Sequence, residues 1–454
     1  MGVNIKPTVT STTGAQENRV TKFSKRWDMF NDNYAKQVHA KLKEIYINVA
    51  LIGMDKQVDL TNNIFKTITE KISRVYTSGI NRDFGDDETL TDLYSRARVT
   101  KYMKQANIYL NAFNDVLLQV SWDEDTQLPI FNFRLPHRTR VELDNKDNIE
   151  SVEYFVSYDK EVGEKWAFWS DTEHYYNIYT KEGAVIKEAI EGNEQMVNPY
   201  GVLPFLVMQK GFRDGEFFDA YSGDDLVNIT LDNAIYNTFK NYLIKWQSFK
   251  QLVVTGTNVG QIDGQLLDPA SALTAEGEDT NISLLDLQAN LTQLVETIEA
   301  SSTTVAVNYN ISPSQFRMSG QVSSGFALQM ENKALDEFTQ DQQKDFIVYE
   351  KKLLELIVLI GNIHGANIPD TQEVDITFND IRYSESMNDT LASYEKSIQL
   401  ALKSPIEIIA DMRGITWEDA EVIYNQNIQD RNKSNEQFNI ITPSTTLPTD
   451  IVGA

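Results

Sequence analysis

An α+β fold is what this sequence predicts, and three observations predict it. Segments with three- and four-residue apolar spacing precede a block of alternating, β-branched and aromatic runs between residues 115 and 208. Beyond residue 222 the helical spacing returns in long stretches, interrupted by one glycine-punctuated insert. With 454 residues, 41% hydrophobic and 10% aromatic, the chain can build two or three domains with a real core, which excludes general disorder.

Residues 1–20 read as a flexible leader, polar and rich in Ser and Thr as far as Gln16. It lacks the charged and apolar regions of a signal peptide, and Lys6 stands where a myristoylation motif wants Ser or Thr. Helical spacing covers 34–52 and 58–76, where Ile64, Ile68, Ile72 and Val75 fall four, four and three apart, and continues over 86–112. Residues 115–122 and 129–135 predict a hairpin turning at Asp123-Glu124-Asp125. Further strands are expected at 152–158, 165–169, 173–179 and 202–208, the last after the turn Asn198-Pro199-Tyr200-Gly201.

A helix over 222–250 would be roughly 43 Å long at about 1.5 Å per residue, more than a compact domain needs. Its aromatic stripe, Phe239, Tyr242, Trp246 and Phe249, has seam spacing, and no basic groove accompanies it, so packing is favoured over base stacking. Strands at 252–255 and 282–285 bracket the insert. A second helix follows on Leu287, Leu291, Leu294 and Ile298, again with heptad-like spacing. Residues 308–325 form a small-residue loop, and 326–363 a long helix whose polar stretch 339–345 predicts a bend or a solvent crossing. A strand at 374–381 precedes helical segments over 388–431, interrupted at Pro405 and Gly414, and a loose tail from 433.

A net charge of −25 and a pI near 4.6 argue against gripping nucleic acid through the overall field. Without cysteine there is no disulfide framework, thiolate zinc site or Cys nucleophile. The longest apolar runs, 353–360 and 47–52, are too short to span a bilayer, so a soluble protein made in cytoplasm is expected. The acids are unevenly placed. From Gln251 to Phe316 there is no Lys or Arg, while Asp263, Asp268, Glu276, Glu278, Asp279, Asp286, Glu296 and Glu299 all carry negative charge.

Four local strings, taken in order, resemble the portal proteins of tailed double-stranded DNA bacteriophages, particularly those of long-tailed phages of Gram-positive hosts. They are Val58-Asp59-Leu60-Thr61-Asn62-Asn63 leading to Tyr76-Thr77-Ser78-Gly79; the hairpin 112–135 running into Pro136 and Val141; Asn198-Pro199-Tyr200-Gly201-Val202-Leu203-Pro204-Phe205; and Ser323-Ser324-Gly325-Phe326-Ala327-Leu328. The resemblance covers about 58–431. It implies an α+β wing at 21–221 and 326–385, a stem of two helices at 222–250 and 287–308, and a clip at 251–286. It further implies a tunnel loop at 309–325, a helical crown at 386–432 and a flexible tail at 433–454. It also implies a ring of twelve subunits around double-stranded DNA at one capsid vertex of the virion, with partners in the terminase, the major capsid and scaffolding proteins and a head-tail adaptor. No enzyme activity, cofactor or membrane is implied, since ATP hydrolysis belongs to the terminase.

On this reading Gln315, Arg317, Met318 and Gln321 face DNA from the loop, Arg317 either touching phosphate or pairing with a neighbouring subunit's acid. The acids of the stem and clip either line the lumen or solvate a helix face and dock a basic partner. Stem packing falls to the aromatic stripe with Leu291, Leu294 and Ile298. His39, His137, His174 and His364 have no spacing of a metal site or triad. Asp144-Asn145-Lys146-Asp147-Asn148 starts like a calcium loop but has Lys146 at a ligand position and Ile149 where Gly is needed, so a solvated turn is expected. Arg134, His137, Arg138 and Arg140 read as an intersubunit ion-pairing cluster ahead of a DNA contact. No phosphate-binding loop or nucleophile elbow occurs, and acid pairs such as Asp224-Asp225 suit helix starts better than magnesium. A coiled-coil scaffold or adaptor that never meets DNA is the alternative from another class, and a metal-dependent nuclease a third.

Overall fold

The computed structural model describes residues 14–45, 58–85, 88–213, 216–248, 251–255, 281–285, 291–316, 325–369, 374–381 and 387–438. Contacts divide the chain into two units, residues 1–320 with 331–382, and residues 321–330 with 383–454. The α+β expectation holds.

The first unit opens with α1 (Gly14–Phe30) and α2 (Ala35–Ile45). The former begins inside the expected leader. Its buried face carries Phe23 and Met29 but also Arg26, and that cation breaks the apolar pattern that would have announced a helix. Helix α3 (Ile64–Ile72) starts later than predicted, because the Asn63 side chain caps it by accepting from the Lys66 amide, 3.1 Å. Strand β1 (Ile80–Asp83) follows, and then two helices replace the single one expected over 86–112. These are α4 (Glu88–Arg96) and α5 (Val99–Phe113), separated where Arg98 takes a left-handed φ of 53°.

Asn114, itself left-handed, closes α5 and turns the chain into β2 (Asp115–Asp123), whose Val116, Leu117, Leu118 and Val120 are all fully buried. With β3 (Leu128–Arg134) it forms the predicted hairpin, Leu118 facing Phe133. A 3-10 turn at Pro136–Arg138 leads into β4 (Thr139–Leu143), β5 (Ile149–Asp159), β6 (Gly163–Ser170), β7 (His174–Thr180) and β8 (Val185–Glu188), an antiparallel sheet in chain order. The last expected strand shortens to β9 (Phe205–Gln209), which pairs with the other side of β2.

Helix α6 (Asp224–Ser248), the antiparallel strands β10 (Gln251–Thr255) and β11 (Asn281–Leu285), and α7 (Leu291–Asn308) follow the predicted order. A 3-10 turn at Pro313–Phe316 occupies part of the small-residue loop. Helix α8 (Gly325–Ile363) is continuous, and β12 (Asp375–Phe378) pairs with β1 across almost 300 residues of sequence.

The polar stretch of α8 is unbroken helix that keeps a buried face, so it is not a solvent crossing. Thr339 is fully buried and returns its hydroxyl to the Leu335 carbonyl at 2.8 Å, while Gln342 donates to Asn111 at 2.8 Å and accepts from Asn107 at 3.3 Å. The polar face of α8 is matched by polar residues four apart on α5, so burial continues through it. Eight residues on, Glu350 accepts from Tyr76 (2.7 Å) and from two nitrogens of Arg82 (2.9 and 2.6 Å).

The second unit contains α9 (Met387–Gln399), α10 (Pro405–Arg413) and α11 (Trp417–Phe438), with the breaks where Pro405 and Gly414 place them. Helices α10 and α11 pack together.

Candidate functional site

Helices α6 and α7 are the elements to which the sequence assigns a role, and side-chain pairs fix how they run. Asn233 donates to Ser302 at 2.9 Å and Tyr309 to Asp225 at 2.7 Å, so the two helices are antiparallel. On α7, Leu291 and Leu294 are half-buried, and Ile298, Ser302 and Ala306 are buried, so the predicted seam is seen from Leu291 on, while Leu287 lies outside the described residues. Glu296 and Glu299 of the same helix are exposed.

Helix α6 is clamped along much of its length. Asp224 at its first turn binds Lys22 (2.6 Å) and the fully buried Arg26 (3.0 Å), which also donates to the Ala220 carbonyl at 3.1 Å. Lys41 reaches Asp232 at 2.6 Å, Thr230 accepts from the Phe65 amide at 2.8 Å, and Asp59 binds Asn241 at 2.6 Å. Burial, and then the bond to Asp225, raise the Tyr309 phenol well above its ordinary range, which keeps it a neutral donor. Lys210 lies in the same neighbourhood, its ammonium lowered by burial and by Arg26.

Phe239 and Tyr242 of the aromatic stripe are half-buried against the main core. Trp246 lies in α6 and Gln315 in the 3-10 turn, but neither side chain is among the described ones. Phe249, Arg317, Met318, Gln321, Asp263, Asp268, Glu276, Glu278, Asp279 and Asp286 lie outside the described residues.

The basic cluster expected between subunits makes contacts within the chain. Arg134 donates to Gln119 (2.7 Å) and lies 3.6 Å from the Tyr154 ring centroid, Arg140 pairs with Glu153 (3.4 Å) over Trp166, and Arg138 sits over Phe155. His137 stacks on Trp27, and burial pushes its imidazole down to about 3. His174 stacks on Trp169 and is likewise lowered by burial, to about 4. Asp144 accepts from the Lys146 and Asn148 amides, the solvated turn expected. Among the described residues no group of three or more His, Asp or Glu could hold a metal, and no helix is long and apolar enough to cross a membrane.

The Lys22–Arg26–Asp224 clamp was missed by sequence reasoning. Its signal was a pair of bases four apart just after the supposed leader, with an acid pair at 224–225 that helix-dipole logic had already explained.

A family model described as phage portal protein, SPP1 Gp6-like, matches residues 55–397. The chain belongs to this family. It is therefore a portal subunit, a structural component of the capsid vertex. Among solved structures, a chain titled as the virion of a native gene transfer agent particle has 11% identity, covers 82% of this chain and 94% of that one, and gives a TM-score of 0.42. The neck of the empty particle, computed with C6 symmetry, has 11% identity, coverages of 81% and 93%, and a TM-score of 0.44. The neck of the native particle, computed with C12 symmetry, has 9% identity, the same coverages and a TM-score of 0.46. Likenesses this distant leave the portal assignment to the sequence match. No curated protein matches the chain.

Proposed function

We propose that this portal chain closes into a head-to-tail ring of twelve copies around double-stranded DNA, through which a terminase packs the genome and from which it is later ejected. Beyond family membership, one observation carries the reading: α7 packs along a seam that runs from half-buried Leu291 to buried Ala306 and leaves Glu296 and Glu299 exposed, in a helix without Lys or Arg. Duplex moving through a pore must not adhere, and carboxylates repel phosphate within a Debye length of about 8 Å at physiological salt.

In this reading α6 and α7 are the stem, 251–286 the clip with its acids, and 309–325 the tunnel loop, from which Arg317 touches phosphate transiently. Residues 21–221 with 326–385 form the wing, and 386–432 the crown. The chain catalyses nothing, works in the virion after assembly in host cytoplasm, and meets capsid, scaffolding and head-tail adaptor proteins. Negative-stain microscopy with native mass measurement tests it. Rings of about twelve copies with a central channel support the reading; rings whose channel is too narrow for duplex, or small closed oligomers without one, overturn it.

A further inference from the structure

We infer that Arg98, Lys101 and Lys104 form a phosphate-binding stripe on α5 that holds the backbone of double-stranded DNA without regard to sequence. The inference concerns α5 alone and stands whether or not the chain closes into a ring. From Leu93 to Asn114 the chain carries Arg96, Arg98, Lys101 and Lys104 and no Asp or Glu, in a sequence where acids outnumber bases 66 to 41. The last three cations are contiguous. The Lys101 amide donates to the Arg98 carbonyl at 2.9 Å, and Lys104 follows three residues later, a spacing that makes neighbours on a helix surface. All three are exposed, while Val99, Met103, Ala106 and Leu110 anchor the helix in the core. Arg96 meets Asp92 at 3.3 Å, but the side chains of Arg98, Lys101 and Lys104 have no hydrogen-bonding or ionic partner among the described residues.

Helix stability does not account for the stripe. Like charges three apart repel, and cations in a first turn oppose the helix dipole; α5 has neither an acid in that turn nor a side-chain cap to offset them. Local rules broken without compensation inside the chain point to a compensating group from outside, here an anion. Its class follows from the surroundings. A protein partner needs a desolvated core of aromatic and aliphatic side chains, from which Lys is depleted. Between residues 88 and 129, all of them described, no large hydrophobic is exposed. Phosphates need none, because Arg and Lys replace their counterions and contacts to the backbone carry no sequence information. Arg98 to Lys104 spans about 9 Å of helix at about 1.5 Å per residue. Over that length a duplex presents about five charges, one per roughly 1.7 Å. With a net charge of −25, the remainder of the chain keeps such a contact local.

Co-sedimentation of the full chain with closed-circular plasmid, which cannot thread a ring already closed, tests the stripe across a salt series. Three phosphate contacts predict an affinity that falls about 40-fold from 50 to 200 mM salt. The triple variant Arg98→Gln, Lys101→Gln, Lys104→Gln should bind about tenfold or more weakly at the lower salt and melt no lower than the parent. The variant Lys25→Gln, Lys36→Gln, Lys43→Gln makes an equal change of charge at exposed lysines of α1 and α2, and should bind as the parent does. Equal weakening by the two triplets overturns the inference, since binding would then follow net charge. Absence of binding by the parent overturns it as well, and so does tighter binding to poly-glutamate than to plasmid at equal charge, which assigns the stripe to an acidic protein. An α5 triplet variant that melts lower than the parent gives the cations an internal role and sinks the idea too. Microscopy of the same samples reads the ring separately, so each reading can fail alone.

Discussion

Glu350 has no contact with water, and its two oxygens are spent on Arg82 and Tyr76. Such a pair is a weak source of net stability, yet breaking it leaves a charge buried without compensation, at about 3–5 kcal/mol. Glu350→Ala should therefore lower the urea midpoint far more than replacing both partners with apolar residues of similar volume. Protonation acts in the same way elsewhere. His137 and His174 are half-buried, and desolvation lowers their pKa values to about 3 and about 4, below the ordinary 6.5. The unfolded chain therefore binds more protons than the folded one over that range. Their contribution is complete above pH 6.5 and is lost as pH falls toward 4. Asp115 works in the opposite sense. Burial pushes its carboxyl up to about 6 despite Arg213 at 2.7 Å, so its contribution is present in acid and lost as pH rises through 6. Thermal midpoints between pH 7 and 4 should fall for the parent chain and fall less steeply for His137→Phe.

Elements were legible in the sequence where one face is uniformly apolar. The hairpin of β2 and β3, the α6–strand–strand–α7 order and the breaks at Pro405 and Gly414 all follow from spacing and punctuation. Where a buried face mixes polar and apolar groups, pattern fails. Arg26 hid α1, and Thr339 with Gln342 made the middle of α8 look solvated, because the partners that satisfy them, Asp224 in one case and Asn107 with Asn111 in the other, are distant in sequence. Strand β1 was invisible for a related reason: its partner β12 lies at the far end of the unit. For the candidate site, the seam of α7 and the exposure of Glu296 and Glu299 could be read in advance, whereas the clamp on α6 could not. One glycine shows how tightly α8 is held. A Cβ at Gly361 would lie 2.6 Å from Ile368 and 2.9 Å from the Trp122 ring. Gly361→Ala gains about 1 kcal/mol of helix propensity. Overpacking costs about 1–3 kcal/mol, so the variant should be no more stable than the parent and is expected to melt lower.

At the scale of the whole molecule, a charge of −25 leaves function to its distribution. If α7 lines the lumen, Glu296→Lys with Glu299→Lys should leave rings intact and slow or stall packaging, with a defect that lessens as salt is raised. Filling at the parental rate would remove the acids from the wall. Arg317→Ala should likewise spare the ring and impair DNA packaging or retention, and normal filling would count against a phosphate contact. The pairing of β10 with β11 brings Thr255 opposite Asn281, so the two ends of residues 256–280 are held together. Doubling the length of such a loop costs only about 0.6 kcal/mol. That makes the strand pair a socket: a change of length between its two strands is absorbed there, without asking the rest of the chain to refold.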